Sequence, residues 1–529
     1  MHGNCLKLDF AHGILILDFY APMRERKAPM QQTMHSPAND RRTLKRTGWA
    51  LFILSPFLLL LILSLAAGHS VLDAYPVWSD ELCFWRTLYS WDEAGMATGY
   101  YGMHEQIAPI GTMGTSGIGP ILLYGWFVKL FGLSHNTIML ANAVWCSAAA
   151  AVFCLLRKPR FSVSLLMSGI MMAYAPIILY AATSMTQWFN YALVLLYITF
   201  LLGYQERRKG WLLVLCVLTI VLGALYRPMY CLLFLPVLLL YCRYQFNWRM
   251  LGFGIPALVI SLICCYVAMQ TAAPYASGFV YHLLRADSLT IAWHMLLSHT
   301  KSNLIDYFVR ASGSPMQDAF RYLYCGITGL CLVSSFIRTD RTETGRLCLR
   351  AGYRGPIMSC FLLLIAAYGF TMVFYEANDW ADLRQLAPYL WLVAAYLIAR
   401  HRRVIPLATL AGCAVSLALL IAQPEGVFTD TNRFAVPAAS QHLPAVTETI
   451  VFDENAADPF ENTVRVDVYD YELLRQLDPA LGLQYGWFTT DTVEKSRWVL
   501  TDKLKCPITG YENVLETPDF KVYRHIEED

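Results

Sequence analysis

Hydrophobic residues run in long blocks along this chain instead of alternating with polar ones. Eleven blocks of 13 to 20 residues occupy positions 49–67, 138–156, 163–182, 188–203, 211–225, 229–241, 250–269, 322–337, 357–375, 386–399 and 404–422. Backbone amides in hydrocarbon must find partners within their own segment, so blocks of this kind cross a bilayer as helices. The pattern predicts an α-helical polytopic membrane protein with about eleven transmembrane helices.

Basic residues are divided unevenly between alternate loops. If the polar leader, residues 1–48, is cytoplasmic, the basic clusters at 157–160, 207–209, 338–354 and 400–403 all fall on the inner side. The segment between the first two spans contains only two arginine or lysine residues, Arg86 and Lys129. Positive loops stay in the cytoplasm. We therefore predict a cytoplasmic N-terminus, an uncleaved first helix and outer loops at 68–137, 271–320 and 376–385.

Three shorter features fit this topology. The apolar run 121–131 is too short to span and predicts a helix lying in the membrane interface. Residues 286–310 are amphipathic and predict a second interfacial helix in an outer loop. Arg227-Pro228 separates two short blocks, because proline cannot continue a helix, and predicts a tight hairpin or a broken helix there.

The last part of the chain has a different character. Residues 423–529 contain 20 acidic and 9 basic residues, which suits a solvated domain. Alternating stretches predict strands at 449–452, 464–468, 498–500 and 520–523, and residues 471–477 predict a helix. With eleven spans this small α/β domain is extracytoplasmic, and residues 49–422 form the transmembrane domain.

Composition narrows the function. Of 529 residues, 56% are hydrophobic and 15% are charged, whereas soluble domains are about one quarter charged. The net charge of +2 comes with no basic face, so nucleic acid is not an expected partner. The 15 cysteines contain no CxxC pair, and neither a nucleotide-binding glycine motif nor a metal-binding HExxH occurs. The lipid bilayer is the first expected partner.

Adjacent carboxylates follow the first span. Asp80 and Glu81 lie where the chain leaves the bilayer, and adjacent residues on a helix point in different directions. One carboxylate could act as a base while the other holds a cation or orients the loop. A solvated acidic loop end explains the same two residues. A divalent cation, Mg²⁺ or Mn²⁺, also stays open, because magnesium often recruits one or two carboxylates together with substrate phosphate.

These carboxylates and two later stretches resemble the GT-C glycosyltransferases, a class that includes protein O-mannosyltransferases and bacterial aminoarabinose transferases. The stretches are Gly-Pro-Ile-Leu-Leu-Tyr at 119–124 and Phe-Gly-Leu-Ser at 131–134. The resemblance implies a GT-C-like catalytic domain in a bacterial inner membrane. It also implies a polyprenyl-phosphate-linked sugar as donor and an acidic residue of the first outer loop as catalytic base. We expect Asp80 in that role, and Glu81 as the second choice.

Gly117-Ile118-Gly119-Pro120 replaces the proline-rich "HPP" of many relatives, so the acceptor stays open among glycolipid, polysaccharide and protein. The outer face is poor in cations, and those present are candidate substrate-binding residues. Arg384 precedes a late span, as an arginine does in several GT-C enzymes, and a guanidinium binds phosphate through two hydrogen bonds.

Further candidates for substrate binding are Arg86, His104, Lys301 and Arg310. Lys301, Arg310 and Arg227 are weak candidates for contacts with lipid phosphate or headgroups, because anchoring at the membrane interface explains them better. A helical-turn pairing with Glu81 also explains Arg86, and a plain loop contact explains His104.

Two other classes of function compete with this hypothesis. A flippase or transporter of lipid-linked saccharides predicts ionisable residues deep inside the spans, where this sequence has almost none. An envelope polysaccharide polymerase or ligase also acts at the outer face, and residues 271–320 could serve as its late loop. The adjacent carboxylates directly after the first span favour the glycosyltransferase.

Overall fold

The protein is largely helical. A computed structural model describes residues 14–16, 38–95, 99–101, 116–245, 247–272, 279–310, 314–341, 347–375, 382–400, 404–422, 433–434, 441–485, 496–502 and 510–526. The helices are α1 Ala38–Ala67, α2 Ser79–Ala94, α3 Gly119–Phe131, α4 Thr137–Arg157, α5 Phe161–Ala173, α6 Ala175–Leu179, α7 Gln187–Arg207, α8 Gly210–Tyr226, α9 Phe234–Tyr241, α10 Arg249–Thr271, α11 Phe279–Leu284, α12 Leu289–Phe308, α13 Pro315–Phe336, α14 Gly355–Phe374, α15 Ala387–Ala399, α16 Val404–Ala422, α17 Leu443–Thr449 and α18 Tyr471–Gln476.

Within the described ranges, six helices are long and apolar enough to cross a membrane. They are Thr43–Ala67, Thr137–Arg157, Gln187–Arg207, Arg249–Thr271, Pro315–Phe336 and Gly355–Phe374. Shorter apolar helices at Gly119–Phe131, Phe161–Ala173, Gly210–Tyr226, Pro228–Tyr241 and Pro406–Ala422 accompany them. In α7 the most apolar 18-residue window is 94% buried, which puts this helix at the centre of the bundle. The prediction of a polytopic helical membrane protein is confirmed.

Prolines modify three predicted spans. The prediction of one continuous span at 163–182 is wrong. Helix α5 ends at Ala173 and the short α6 follows it, because Pro176 cannot donate a helical hydrogen bond. A 3₁₀ helix at Pro228–Leu233 precedes α9, which confirms the predicted break. Helix α13 begins at Pro315, seven residues before the span predicted at 322–337.

Both helices predicted for the interface are present as helices. Helix α3 covers the apolar run predicted at 121–131, and its Lys129 Nζ lies 2.5 Å from Asp92 Oδ1 of α2. Helix α12 falls within the range predicted at 286–310, and its N-cap Ser288 accepts a hydrogen bond from the Ile291 amide. Large apolar side chains of α12, such as Leu289 and Phe308, are exposed in the described structure.

A six-stranded sheet forms the core of the C-terminal segment. Its strands are β2 Gly99–Tyr101, β5 Thr463–Val466, β6 Gly482–Tyr485, β7 Trp498–Thr501, β8 Tyr511–Glu516 and β9 Lys521–His525, in the order β2-β6-β5-β7-β9-β8. Strands β6, β5 and β7 run parallel, and β8 and β9 form an antiparallel pair at one edge. The edge strand β2 comes from the first outer loop and pairs in parallel with β6. A smaller sheet joins β1 Ile14–Ile16, β4 Leu347–Ala351 and β3 Ile337–Arg341.

The C-terminal predictions are mostly confirmed. Strands β5, β7 and β9 and helix α18 occupy the regions predicted for them. The strand predicted at 449–452 is wrong, because α17 ends at Thr449 and the residues after it are irregular. Strands β6, β8 and β2 were not predicted.

Loops that the charge pattern assigns to the two sides meet at opposite ends of the bundle. At one end, the Trp49 indole donates to the Pro159 carbonyl and Arg157 pairs with Glu206. At the other end, the Asn136 amide donates to the Leu72 carbonyl at 2.9 Å, beside α2. The sidedness of the two ends stays a prediction, and we call the second end the outer end after the predicted topology.

Candidate active site

Asp80 and Glu81 lie in the first turn of α2, at the outer end. Carboxylates are favourable there because the amides of the first turn have no helical partners and the helix dipole is positive at this end. The two side chains point to different surroundings, as expected for neighbours on a helix. Asp80 faces the helices of the membrane domain, whereas Glu81 is buried against the C-terminal segment.

Asp80 forms an ion pair with Arg384. Arg384 Nη1 lies 2.9 Å from Asp80 Oδ2, and the side chains are 30% and 24% exposed. Arg384 belongs to a turn of π-helix at Asp382–Leu386, which leads directly into α15. The pair therefore joins the first outer loop to a segment 304 residues later, and it stays partly open to solvent.

Tyr180 borders this pair. It follows α6 and lies close enough to Arg384 to act on its charge. Burial alone lowers the pKa of Arg384, but Tyr180 and Asp80 outweigh this effect, and the pKa lies above its usual value. Arg384 Nε is buried without a hydrogen-bond partner in the described structure. Polar groups in such positions are unusual and are commonly satisfied by ligand or water.

A second guanidinium lies beside the first. Arg227 donates to the Arg384 carbonyl at 3.3 Å, and its guanidinium lies 5.0 Å from the centre of the Tyr226 ring. The Tyr226 hydroxyl hydrogen-bonds to Thr186, at the start of α7. Arg227 is placed here because the chain turns sharply at Pro228. The Asp80–Arg384 pair thus has a second arginine nearby, which contacts the backbone of Arg384.

Glu81 is fully buried and fully hydrogen-bonded. Its Oε2 accepts from the amides of Val77 and Trp78 at 3.1 and 3.0 Å. Its Oε1 accepts from the Ser184 amide at 2.7 Å and from Arg433 Nη1 at 2.9 Å. Glu81 and Arg433 are both 0% exposed. These contacts give Glu81 the role of an anchor for α2, and its predicted catalytic role stays a prediction.

Arg86 points away from Asp80 and holds the C-terminal segment. It is buried and donates to the carbonyls of Leu474, Leu477 and Asp478. Burial lowers the pKa of Arg86 to about 10, so the side chain is still charged at neutral pH. Its described hydrogen bonds lead to the C-terminal segment, and its predicted role in substrate binding stays a prediction.

The remaining predicted substrate-binding residues lie elsewhere. Lys301 is exposed on α12. Arg310 is exposed just after this helix and pairs with Asp306 at 2.7 Å. Neither has a described contact with Asp80 or Arg384. His104 lies outside the described residues.

The described residues contain no group of three or more histidine, cysteine, aspartate or glutamate side chains that could hold a metal ion. Asp80 is paired with Arg384, and Glu81 is already saturated with hydrogen bonds. A Mg²⁺ or Mn²⁺ ion held by one or two carboxylates together with substrate phosphate stays a prediction.

Two features of this site were missed in the sequence. Arg433 lies in an acidic segment with no distinctive spacing, and its partner Glu81 is 352 residues away. Tyr180 lies at the end of an apolar block that resembles an ordinary span. The sequence indicates Arg227 only as a weak candidate for phosphate contact and does not predict its contact with Arg384.

The fold and site together define a polytopic helical membrane protein with a charged site at one end of its helices. No protein-family model matches this chain, and no curated protein matches it. Among solved structures, the chain is similar to ArnT from Cupriavidus metallidurans bound to undecaprenyl phosphate. The identity is 11% and the TM-score 0.47, over 93% of this chain and 99% of that one. At these values the likeness decides neither the activity nor the ligands of this chain.

Proposed function

We propose that this protein is a membrane glycosyltransferase that moves a sugar from a polyprenyl phosphate to an acceptor hydroxyl at the outer membrane face. The observation that carries the proposal is the partly open Asp80–Arg384 pair, with Arg227 beside it. Transfer from a phosphate-linked sugar requires a base for the acceptor proton and positive charge for the departing phosphate. This cluster offers both, at the end of the helices that the predicted topology puts on the outer side.

Asp80 acts as the general base. Its Oδ2 accepts from Arg384, and Oδ1 has no hydrogen-bond partner within the described structure, so Oδ1 receives the proton of the acceptor hydroxyl. The acceptor oxygen then bonds to the anomeric carbon as the bond from that carbon to the phosphate oxygen breaks. The electron pair stays on the phosphate oxygen. A single displacement of this kind inverts the anomeric configuration.

Arg384 and Arg227 stabilise the leaving group. A guanidinium forms charge-assisted hydrogen bonds to phosphate oxygens, which strengthen as negative charge accumulates. Arg384 contacts both the base and the expected phosphate position, so it also limits the distance between them. The products are the glycosylated acceptor and polyprenyl phosphate.

The first test is release of polyprenyl phosphate by the purified protein in detergent, with a panel of polyprenyl-phosphate sugars. Asp80→Asn should lower kcat by about 10²- to 10⁴-fold, the usual contribution of a positioned general base. Asp92→Asn is the matched control, because Asp92 is the paired carboxylate near the other end of α2. We expect it to stay within about threefold of wild type, since an exposed pair contributes little.

Equal activity in wild type and Asp80→Asn would remove Asp80 as the base. No turnover with any donor in the panel would favour a flippase or an envelope polysaccharide ligase instead.

A further inference from the structure

The C-terminal segment contacts α2, the helix that carries Asp80, at several points. Arg433 pairs with Glu81 of α2 at 2.9 Å, and its guanidinium lies 4.7 Å from the centre of the Trp78 ring. Its backbone carbonyl accepts from the Tyr75 amide at 2.8 Å. Arg433 is therefore tied to the start of α2 through both its side chain and its backbone.

A second set of contacts holds the same helix further along. Arg86 donates to three carbonyls at the end of α18 and just after it. The Tyr471 ring packs edge-on against Trp85, with 4.8 Å between ring centres, and lies 5.4 Å from Tyr75. The C-terminal segment thus contacts α2 in its first turn and again near its middle.

The Arg433–Glu81 pair is better suited to fix the orientation of α2 than to stabilise the protein. A fully buried ion pair contributes little net stability, because desolvation offsets the attraction, and apolar residues often do as well. Arg433 Nε and Nη2 have no hydrogen-bond partner in the described structure, which adds to that cost. Such a pair instead fixes an orientation. The four hydrogen bonds to the Glu81 carboxylate hold the first turn of α2 in one position.

We infer that Arg433 is a positioning residue: its pair with Glu81 fixes the first turn of α2, and the C-terminal segment thereby sets the direction of Asp80 toward Arg384. The inference rests on the proposed function for its catalytic consequence. Misplacement of a catalytic group by about 1 Å costs roughly 10²-fold in rate without loss of substrate contacts. The loss should therefore appear in kcat and not in KM.

The kinetic test compares Arg433→Gln, Arg433→Lys and the double variant Glu81→Gln/Arg433→Gln in the full-length protein. Arg433→Gln should lower kcat about 30- to 100-fold with KM within about threefold of wild type. Arg433→Lys keeps the charge and should recover at least tenfold of that loss. The double variant leaves no unpaired buried charge, so it gives a folded protein to measure where the single variant unfolds.

Arg475→Gln is the matched control, because Arg475 pairs with Glu472 on the exposed face of α18. It should leave kcat within about twofold of wild type. Unchanged kcat in both Arg433→Gln and the double variant, or an increase in KM that accounts for the whole loss, would overturn the inference.

A second readout needs no turnover. Asp80→Cys, made alone and in the Glu81→Gln/Arg433→Gln background, is labelled with a maleimide, and the rate is measured above that of the native cysteines. If Arg433 fixes the turn, the two rates should differ at least about fivefold. Equal rates would refute the positioning role even if the protein proves not to be a glycosyltransferase. If the labelling rates differ but the wild-type protein shows no turnover with any donor, the positioning role stands and the proposed reaction is rejected.

Discussion

Replacement of Arg384 by glutamine, alone and together with Asp80→Asn, tests whether the two side chains act as one unit. Arg384 Nη1 and Asp80 Oδ2 are 2.9 Å apart. Unit charges about 4 Å apart interact by about 4 kcal/mol at an effective dielectric constant of 20, which serves as the upper limit for this pair. The side chains are 30% and 24% exposed, so solvent reduces this coupling to about 1–2 kcal/mol. The double variant should therefore lose about 5- to 30-fold less activity than the product of the single losses.

The single losses have separate origins. Asp80→Asn removes the base and should lower kcat about 10²- to 10⁴-fold, or about 3–5 kcal/mol of the activation barrier. Arg384→Gln removes a charge-assisted hydrogen bond to phosphate worth about 1.5–3 kcal/mol, and should lower kcat/KM about 10- to 150-fold. Release of polyprenyl phosphate under single-turnover conditions separates the effects on binding and chemistry.

The Asp92–Lys129 pair provides the control cycle, since it joins α2 to α3 near the other end of α2. Asp92→Asn and Lys129→Gln, alone and together, should each stay within about threefold of wild type. The reasoning is refuted if the losses at Asp80 and Arg384 multiply within about twofold, because the ion pair would then have no part in the activity.

Other predictions concern stability and topology. Arg86→Gln leaves buried carbonyls without their donor and should destabilise the protein by at least about 1–3 kcal/mol, seen as a fall in Tm in detergent. Asn142→Ala should lower the free energy of unfolding by about 1–3 kcal/mol, because the Asn142 amide hydrogen-bonds to Tyr124 and Met185. Asn190→Ala should lower it less, because the Asn190 amide has no partner in the described structure. Equal falls in Tm would contradict this. In spheroplasts, an impermeant maleimide should label Leu130→Cys at once and Lys209→Cys only after permeabilisation, and the reverse would invert the topology.

The helical part of the fold could be predicted because its signal is local. Length and hydropathy indicate a span without knowledge of its neighbours, and the sites of basic residues indicate its direction. The break at Pro176 was missed because apolar residues surround it, so hydropathy continues through the proline. Strand β2 was missed for another reason: three residues carry too little periodicity, and its pairing with β6 depends on chain that follows much later.

Some residues of the candidate site could likewise be predicted from local sequence, and others could not. Asp80 and Arg384 each stand out locally, as a carboxylate just after a span and an arginine just before one. Adjacency predicts that Asp80 and Glu81 point in different directions, but which of the two is buried depends on Arg433 and could not be derived. Pairings across hundreds of residues leave no mark in one sequence.

The Arg433–Glu81 contact also orders events during synthesis. The partners are 352 residues apart, so at about 5–20 residues per second the ribosome needs about 20 to 70 s after Glu81 before Arg433 is made. Throughout this interval a carboxylate destined for burial has no counterion, and the first turn of α2 lacks its final support. The nascent membrane domain would thus lack this contact until residue 433 has been made. If the protein has the proposed activity, Asp80 would reach its final orientation only after the ribosome has passed this point.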